Sequence, residues 1–419
     1  MSNILFVDDD VNILSGLRRR ARRVHPEWNI SFVTSGAQAL SLCDEQSFDV
    51  VVSDMRMPGM DGADLLHQLQ DKIPDTARII LSGYSEDDAI LRTVGPAQRY
   101  LAKPCDDEVL FEALEQMLGI RTLLAKADIR SIIGGIDALA SPPDTYTRLV
   151  QAFDDPKTGN DQIVAIVSSD IALTAEVLKM TNSAYFALPN KITSISHAVR
   201  MIGADTLKSL AIFIGLFKSF DGPDAVVGRM KTLCRRSQQM GIAAALIGEY
   251  EKLSKDACQL LPSVGMMSHI GSLILYLYYH ARMDKVIARV EKEGISIVDA
   301  ERDEFGAAHP EIGAYLLGLW GFPESLTNAV AHHHDPVAFN QTEMNELTAL
   351  YAAQHLTREL SAQHRPQAGD VDGDDNADTP APTTEPESTI DIGYLEKIGK
   401  ADSLPAWRKI VATVLKSYP

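Results

Sequence analysis

Two fold classes in tandem are predicted: an α/β doubly wound five-stranded parallel sheet over residues 1–120, then an all-α domain. Between residues 2 and 118, short apolar runs alternate with amphipathic stretches five times, as expected of β/α units. Several runs end in a polar or charged residue: ILFV before Asp8, FDVVVS before Asp54, RII before Leu81 and Ser82, RYLA before Lys103. After Gly119 strand signals almost vanish, and helical periodicity dominates from Asp144 to about Leu360.

In a parallel sheet the carboxyl ends of several strands open onto one crevice, so Asp8, Asp9, Asp54, Ser82 and Lys103 can converge there. Crowded carboxylates repel unless a divalent cation holds them, and Mg2+ suits hard oxygen ligands. A hydroxyl and a lysine beside them supply the donor and positive charge that a transferred phosphoryl group needs. The pattern predicts a phosphoacceptor pocket centred on Asp54. The sheet unit ends in an amphipathic helix from Asp106 to about Leu118, with Val109, Leu110, Ala113, Leu114 and Met117 on its apolar face.

The stretches ILFVDDD, VVVSDMRMPGMDG, IILSGYS and RYLAKP resemble the receiver domain of bacterial two-component response regulators, in the family's order. That resemblance implies that Asp54 becomes an aspartyl phosphate. It implies that Asp9 binds Mg2+ directly, with Asp8 helping through water and the backbone carbonyl of Arg56 completing the set. Ser82 and Lys103 would hold the phosphoryl oxygens, Tyr100 would be the aromatic switch, and Lys103-Pro104 would be a cis bond. A sensor histidine kinase is the implied phosphodonor, and a second copy of the chain is a candidate partner through the receiver.

Residues 121–135 continue as a helical connector into an output domain over 136–361, with C-terminal helices at 390–419. Between them, 362–389 is acidic, contains proline and lacks periodicity, so a disordered insertion is expected. Its DVDGDD run has Asp375 where a calcium loop requires glycine. In the output region Asp170 is placed to cap one helix and Ser194 another, and Asn182 falls at a helix end. The stretch from DQIVAIVSSD through KMTNSAYF, ITSI and IG resembles the HDOD domain, an all-helical relative of the HD phosphohydrolases.

HD phosphohydrolases hold metal with a first His, a His-Asp pair and a later Asp. Here the pair is His269-Ile270, Arg236 stands about where the first His is expected, and Gln354 stands near the last Asp. Isoleucine supplies no oxygen, and an arginine opposes a divalent cation. The resemblance therefore implies an output domain that is not an enzyme, lacks phosphodiesterase activity and folds without metal. The alternative is a metal-dependent cyclic di-GMP phosphodiesterase of HD type. His269, His309 and one of His332, His333 and His334 could form a residual metal site; as core or helix-end groups they need no metal.

Apolar residues make up 45% and charged residues 23%, an ordinary globular balance. The net charge of −18 opposes broad nucleic-acid binding, and no helix-turn-helix is recognisable, so no DNA partner is expected. The basic clusters at 18–23 and Arg235-Arg236 fall on predicted helices as solvated faces. Acidic residues straight after ILFV argue against a signal peptide, and stretches such as LAIFIGLF and LILYLYY are too short to span a bilayer. No membrane insertion and a cytoplasmic location are expected. The four cysteines lack paired spacing, which favours reduced thiols. The expected output is contact with an as yet unidentified protein target.

Overall fold

The computed structural model describes residues 2–83, 97–121, 124, 127–136, 139–154, 158–182, 186, 191–203, 207, 218–337, 341–363 and 390–418. The helix expected between the fourth and fifth strands, most of the 362–389 insertion with its DVDGDD run, and the LAIFIGLF stretch lie outside the described residues.

Strands β1 (Asn3–Val7), β2 (Asn29–Val33), β3 (Val50–Asp54), β4 (Ala77–Gly83) and β5 (Arg99–Lys103) form one parallel sheet in the order β2-β1-β3-β4-β5. The order reverses between β1 and β3, the switch point where such sheets open a crevice. Alternate side chains of each strand face opposite layers. Ile4, Phe6, Val50, Val52, Ile79 and Leu81 pack on one face with α1 (Val11–Val24) and α4 (Asp107–Arg121). Leu5, Val7, Val51 and Ile80 pack on the other with α2 (Gly36–Glu45) and α3 (Gly62–Lys72). Burial on both faces explains the nearly unbroken apolar runs, and each buried Leu or Ile contributes about 1.5–3 kcal/mol.

One expected face of α4 differs: Val109 is 49% exposed, and Phe111 is buried in its place. Both lie on borders of the apolar stripe. The larger ring meets Trp28 edge-on at 6.2 Å and His25 at 5.7 Å, so the aromatic cluster sets the helix's rotation. Arginines of the 18–23 cluster lie on α1, where Arg20 pairs with Asp107 and Arg18 covers the Phe32 ring.

After α4 comes α5 (Ala127–Gly134), within the predicted connector. The helical region then comprises α6 (Pro143–Asp154), α7 (Asn160–Val167), α8 (Ile171–Thr181), α9 (Ile195–Ile202), α10 (Asp224–Tyr250), α11 (Lys255–Met267), α12 (Ile270–Glu293), α13 (Ile297–Phe305), α14 (His309–Leu319), α15 (Glu324–His332), α16 (Glu346–Gln363), α17 (Ile392–Lys397) and α18 (Leu404–Ser417). The only strand pairing described here is between Ala140–Ser141 and Lys218–Ser219. Predicted caps are present: Asp170 Oδ1 accepts from the Leu173 amide at 2.9 Å, and Ser194 Oγ from the His197 amide at 3.4 Å. Asn182 has a structural role, exchanging hydrogen bonds with the Ile192 backbone at 2.7 Å. The segment Lys255–Glu293 is long and apolar enough to cross a membrane, but 78% of its most apolar window is buried in the protein. It is two core helices, α11 and α12, that meet at Ser268.

The two regions are in extensive contact. α4 packs against α14, and the apolar core of one sheet face continues through Leu124, Ile129 and Ile133 into the helical region. At the amino ends of the strands, Arg78 and Gln98 donate to the Gly134 carbonyl, while Arg121 and Arg130 pair with Asp75. The approach is close: a Cβ on Gly134 would lie 1.8 Å from the Pro74 carbonyl oxygen.

Candidate functional sites

The carboxyl ends of β1, β3, β4 and β5 bring the predicted pocket residues together. Asp8 follows β1, Asp54 ends β3, Ser82 is the penultimate residue of β4, and Lys103 ends β5. Lys103 Nζ lies 2.6 Å from Asp54 Oδ1 and 3.0 Å from Asp8 Oδ2, bridging the two carboxylates. Asp8 Oδ1 also accepts from the Asp10 amide at 2.9 Å, and Asp10 in turn caps α1. Asp8, Asp9 and Asp54 each offer a carboxylate oxygen within 4.8 Å of the others, a donor set that fits a hard divalent ion.

Burial raises the pKa of Asp54, and the Lys103 hydrogen bond and charge only partly counter this. Burial opposes the Lys103 charge, but hydrogen bonds to Asp54 and Asp8 overcome it and raise its pKa. Ser82 is buried, and Tyr100 is partly buried against the α2–α3 layer. Arg56 follows β3 with its side chain exposed. Lys103-Pro104 is cis. Gly62, quoted in the sequence motif without a role, lets α3 approach the strand end: a Cβ there would lie 2.2 Å from the Asp54 carbonyl oxygen.

In the helical region Ile270 is fully buried, and the Arg236 charge helps depress the pKa of His269, after burial and two neighbouring histidines. The histidines occupy core and helix-end positions, and four of them also converge. His269 stands at the N-cap position of α12 without a side-chain cap bond, His309 opens α14, and His333 and His334 follow α15, yet one nitrogen from each lies within 4.8 Å of the others. Two of the 332–334 run therefore join the cluster, while His332 remains in the last turn of α15.

His309 Nε2 is 3.1 Å from His334 Nε2, and His309 Nδ1 is 2.7 Å from Glu301 Oε2. His333 Nδ1 is 2.7 Å from the Val330 carbonyl, and His269 Nδ1 is 3.1 Å from Ser237 Oγ. Burial drives the His333 pKa down to about 3 and lowers that of His334, with neighbouring histidines adding to each shift. Sequence reading missed Glu301, which meets His309, and His355, which adds to the lowering of the His333 and His334 pKa values. The spacing of Glu301 eight residues before His309 is the only sequence signal for their pairing.

Other HDOD-like motifs also meet: the Lys179 ammonium sits 4.1 Å from the Trp320 ring centroid. The turn after that tryptophan touches the sheet domain, where a Cβ on Gly321 would lie 2.7 Å from Arg99 Nε.

A response regulator receiver domain model matches residues 4–115, and an HDOD domain model matches residues 139–336. An uncharacterized protein of Treponema pallidum (strain Nichols) is 26% identical over 49% of this chain and 39% of its own length. The transcriptional regulatory protein GlrR of Escherichia coli (strain K12) is 32% identical over 28% of this chain and 26% of its own. The chain thus spans about two-fifths or less of the first curated relatives it matches. Among solved structures, the MmoQ response regulator of Methylococcus capsulatus str. Bath is 17% identical, with 65% of this chain and 98% of that one covered and a TM-score of 0.44. The signal receiver domain of an HD domain-containing protein from Pseudomonas fluorescens Pf-5 is 33% identical, with coverage of 29% and 97% and a TM-score of 0.27. With a receiver domain followed by an HDOD domain, the chain belongs to the two-component response regulators.

Proposed function

We propose that Asp54 accepts a phosphoryl group from a sensor histidine kinase, and that the HDOD domain passes the signal on by binding a protein target, without catalysis. The observation that carries the first half is Lys103 bridging Asp54 and Asp8 at the sheet's switch point, at 2.6 and 3.0 Å. A buried carboxylate beside a fixed ammonium is poised to exchange that salt bridge for one with a phosphoryl oxygen. Asp9 and Asp54, the Arg56 backbone carbonyl and, through water, Asp8 are the groups that would hold Mg2+. When bound, Mg2+ offsets the charge of the incoming phosphoryl group. Ser82 donates to that group, and Tyr100 moves towards burial as Lys103 and Ser82 are drawn inward.

For the output, the HD positions support a nonenzymatic reading: Ile270 is buried where a ligand would be needed, and Arg236 adds positive charge. Curated relatives carry transcriptional names, but their overlap with this chain is about the length of a receiver, so DNA binding is not inferred from them. Incubation with acetyl phosphate and Mg2+ tests the phosphoacceptor: wild type acquires an acid-stable, base-labile label, and Asp54→Asn acquires none. Label that persists in Asp54→Asn refutes the assignment.

A further inference from the structure

We propose that His269, His309, His333 and His334 bind one first-row transition-metal ion of the zinc class, as a closed structural site in the HDOD domain. The donors come from three helix junctions far apart in sequence, and one nitrogen from each lies within 4.8 Å of the others. Zinc–imidazole bonds of about 2.0–2.1 Å in a tetrahedron require nitrogens roughly 3.3 Å apart. The His309–His334 pair already stands at 3.1 Å, and the remaining rings need only close in.

The neighbouring groups orient these nitrogens. The Val330 carbonyl accepts from His333 Nδ1, which leaves Nε2 with a lone pair. That Nε2 is buried and has no hydrogen-bond partner, a costly state that a metal bond removes. Glu301 holds His309 Nδ1, the carboxylate–histidine arrangement that fixes the ring and raises its basicity. Glu301 is itself fully buried, and its Oε1 lacks a partner, so a cation one ring away offsets its charge. His269 and His334 are only partly buried, which leaves a route of entry. The Arg236 charge opposes binding, but four borderline-soft imidazoles still select zinc-like ions over the Mg2+ suited to the carboxylate pocket.

Four protein ligands leave no open position for an activated water, so this site goes beyond the nonenzymatic reading without contradicting it. It does reverse the expectation that the helical domain is indifferent to metal. It also ties the metal to the amino end of α14, the helix that packs on α4 of the receiver.

The test uses the full-length chain, stripped with chelator and kept in excess Mg2+ so that the carboxylate pocket is occupied. Cobalt(II) titration is expected to give the intense visible bands of tetrahedral coordination at one equivalent, displaced by Zn2+. X-ray absorption of the zinc form should show about four nitrogens near 2.0–2.1 Å with imidazole outer-shell scattering. Zinc should raise Tm, and Glu301→Gln should weaken affinity on the order of 10- to 100-fold. Absence of tetrahedral bands in the wild type, an oxygen-dominated zinc shell, or unchanged bands in a folded His334→Gln variant overturns the proposal. Where that variant does not fold, the wild-type zinc spectrum decides alone.

Discussion

Ile120 sits over Gly318: a Cβ on the glycine would lie 1.6 Å from Ile120 Cδ1. Each is the penultimate residue of its helix, α4 in the receiver and α14 in the HDOD domain. The missing side chain is what lets the two helix ends touch. Because α4 follows the strand that carries Lys103, and α14 begins at His309, this contact links the phosphoacceptor pocket to the histidine cluster.

Gly318→Val should therefore cost about 1–3 kcal/mol in urea denaturation by overpacking. Ile120→Ala should recover part of that loss when the two are combined, with a coupling of roughly 0.5–3 kcal/mol. Strictly additive effects in the cycle would show that the notch is not the contact that matters.

Lys103→Ala should leave Asp54 able to take label from acetyl phosphate, though more slowly, because Lys103 senses the phosphoryl charge more than it performs the transfer. What should disappear is any phosphorylation-dependent change in hydrogen exchange across α4 and α14. A wild-type exchange response in this variant would contradict the role given to Lys103.

Gly62→Val should lower both stability and labelling rate. The new Cβ would fall 2.2 Å from the Asp54 carbonyl oxygen, so α3 or the end of β3 must shift. The expected loss is about 1–3 kcal/mol, and unchanged melting together with an unchanged labelling rate would be the contrary result.

Asp170 yields a pH prediction. Burial raises its pKa from 3.8 to about 6, against the lowering effect of its hydrogen bonds from Leu173 and Ser141. The native state then binds the proton more tightly than the unfolded chain, so this group's contribution to stability falls as pH rises from 3.8 to about 6. Asp170→Asn keeps an acceptor for the Leu173 amide and removes the charge. It should be more stable than wild type above pH 6 by about 3 kcal/mol at most, with the difference vanishing near pH 4. An equal difference at both pH values would locate its origin elsewhere.

Much of the receiver was legible because its chemistry is written at strand ends. ILFV and FDVVVS are largely buried runs and RYLA a partly buried one, and the polar residue that closes each must emerge at the same edge of the sheet. The Asp170 and Ser194 caps were legible for a similar reason, since each acts on its own helix's first turn. The histidine cluster was only half legible. His269, His309 and the 332–334 run stood out, but which of the run turned inward, and that Glu301 lay behind them, depends on how three helix ends pack. Val109 misled because a border position on a helix is assigned by its neighbours, here the Trp28 and His25 rings around Phe111.

The attachment at the amino ends of the strands bears on how such proteins can be recombined. Gly134 rests on the Pro74 carbonyl, and Arg130 grips Asp75, at the edge opposite Asp54. Grafting a foreign receiver onto this HDOD domain by joining sequences after residue 121 would preserve the chemistry of the pocket but sever that grip. A functional chimera must carry Pro74, Asp75 and Arg78 with the receiver or rebuild their counterparts. Exchange of parts between relatives is then limited by the base of the sheet, where no phosphoryl group ever binds.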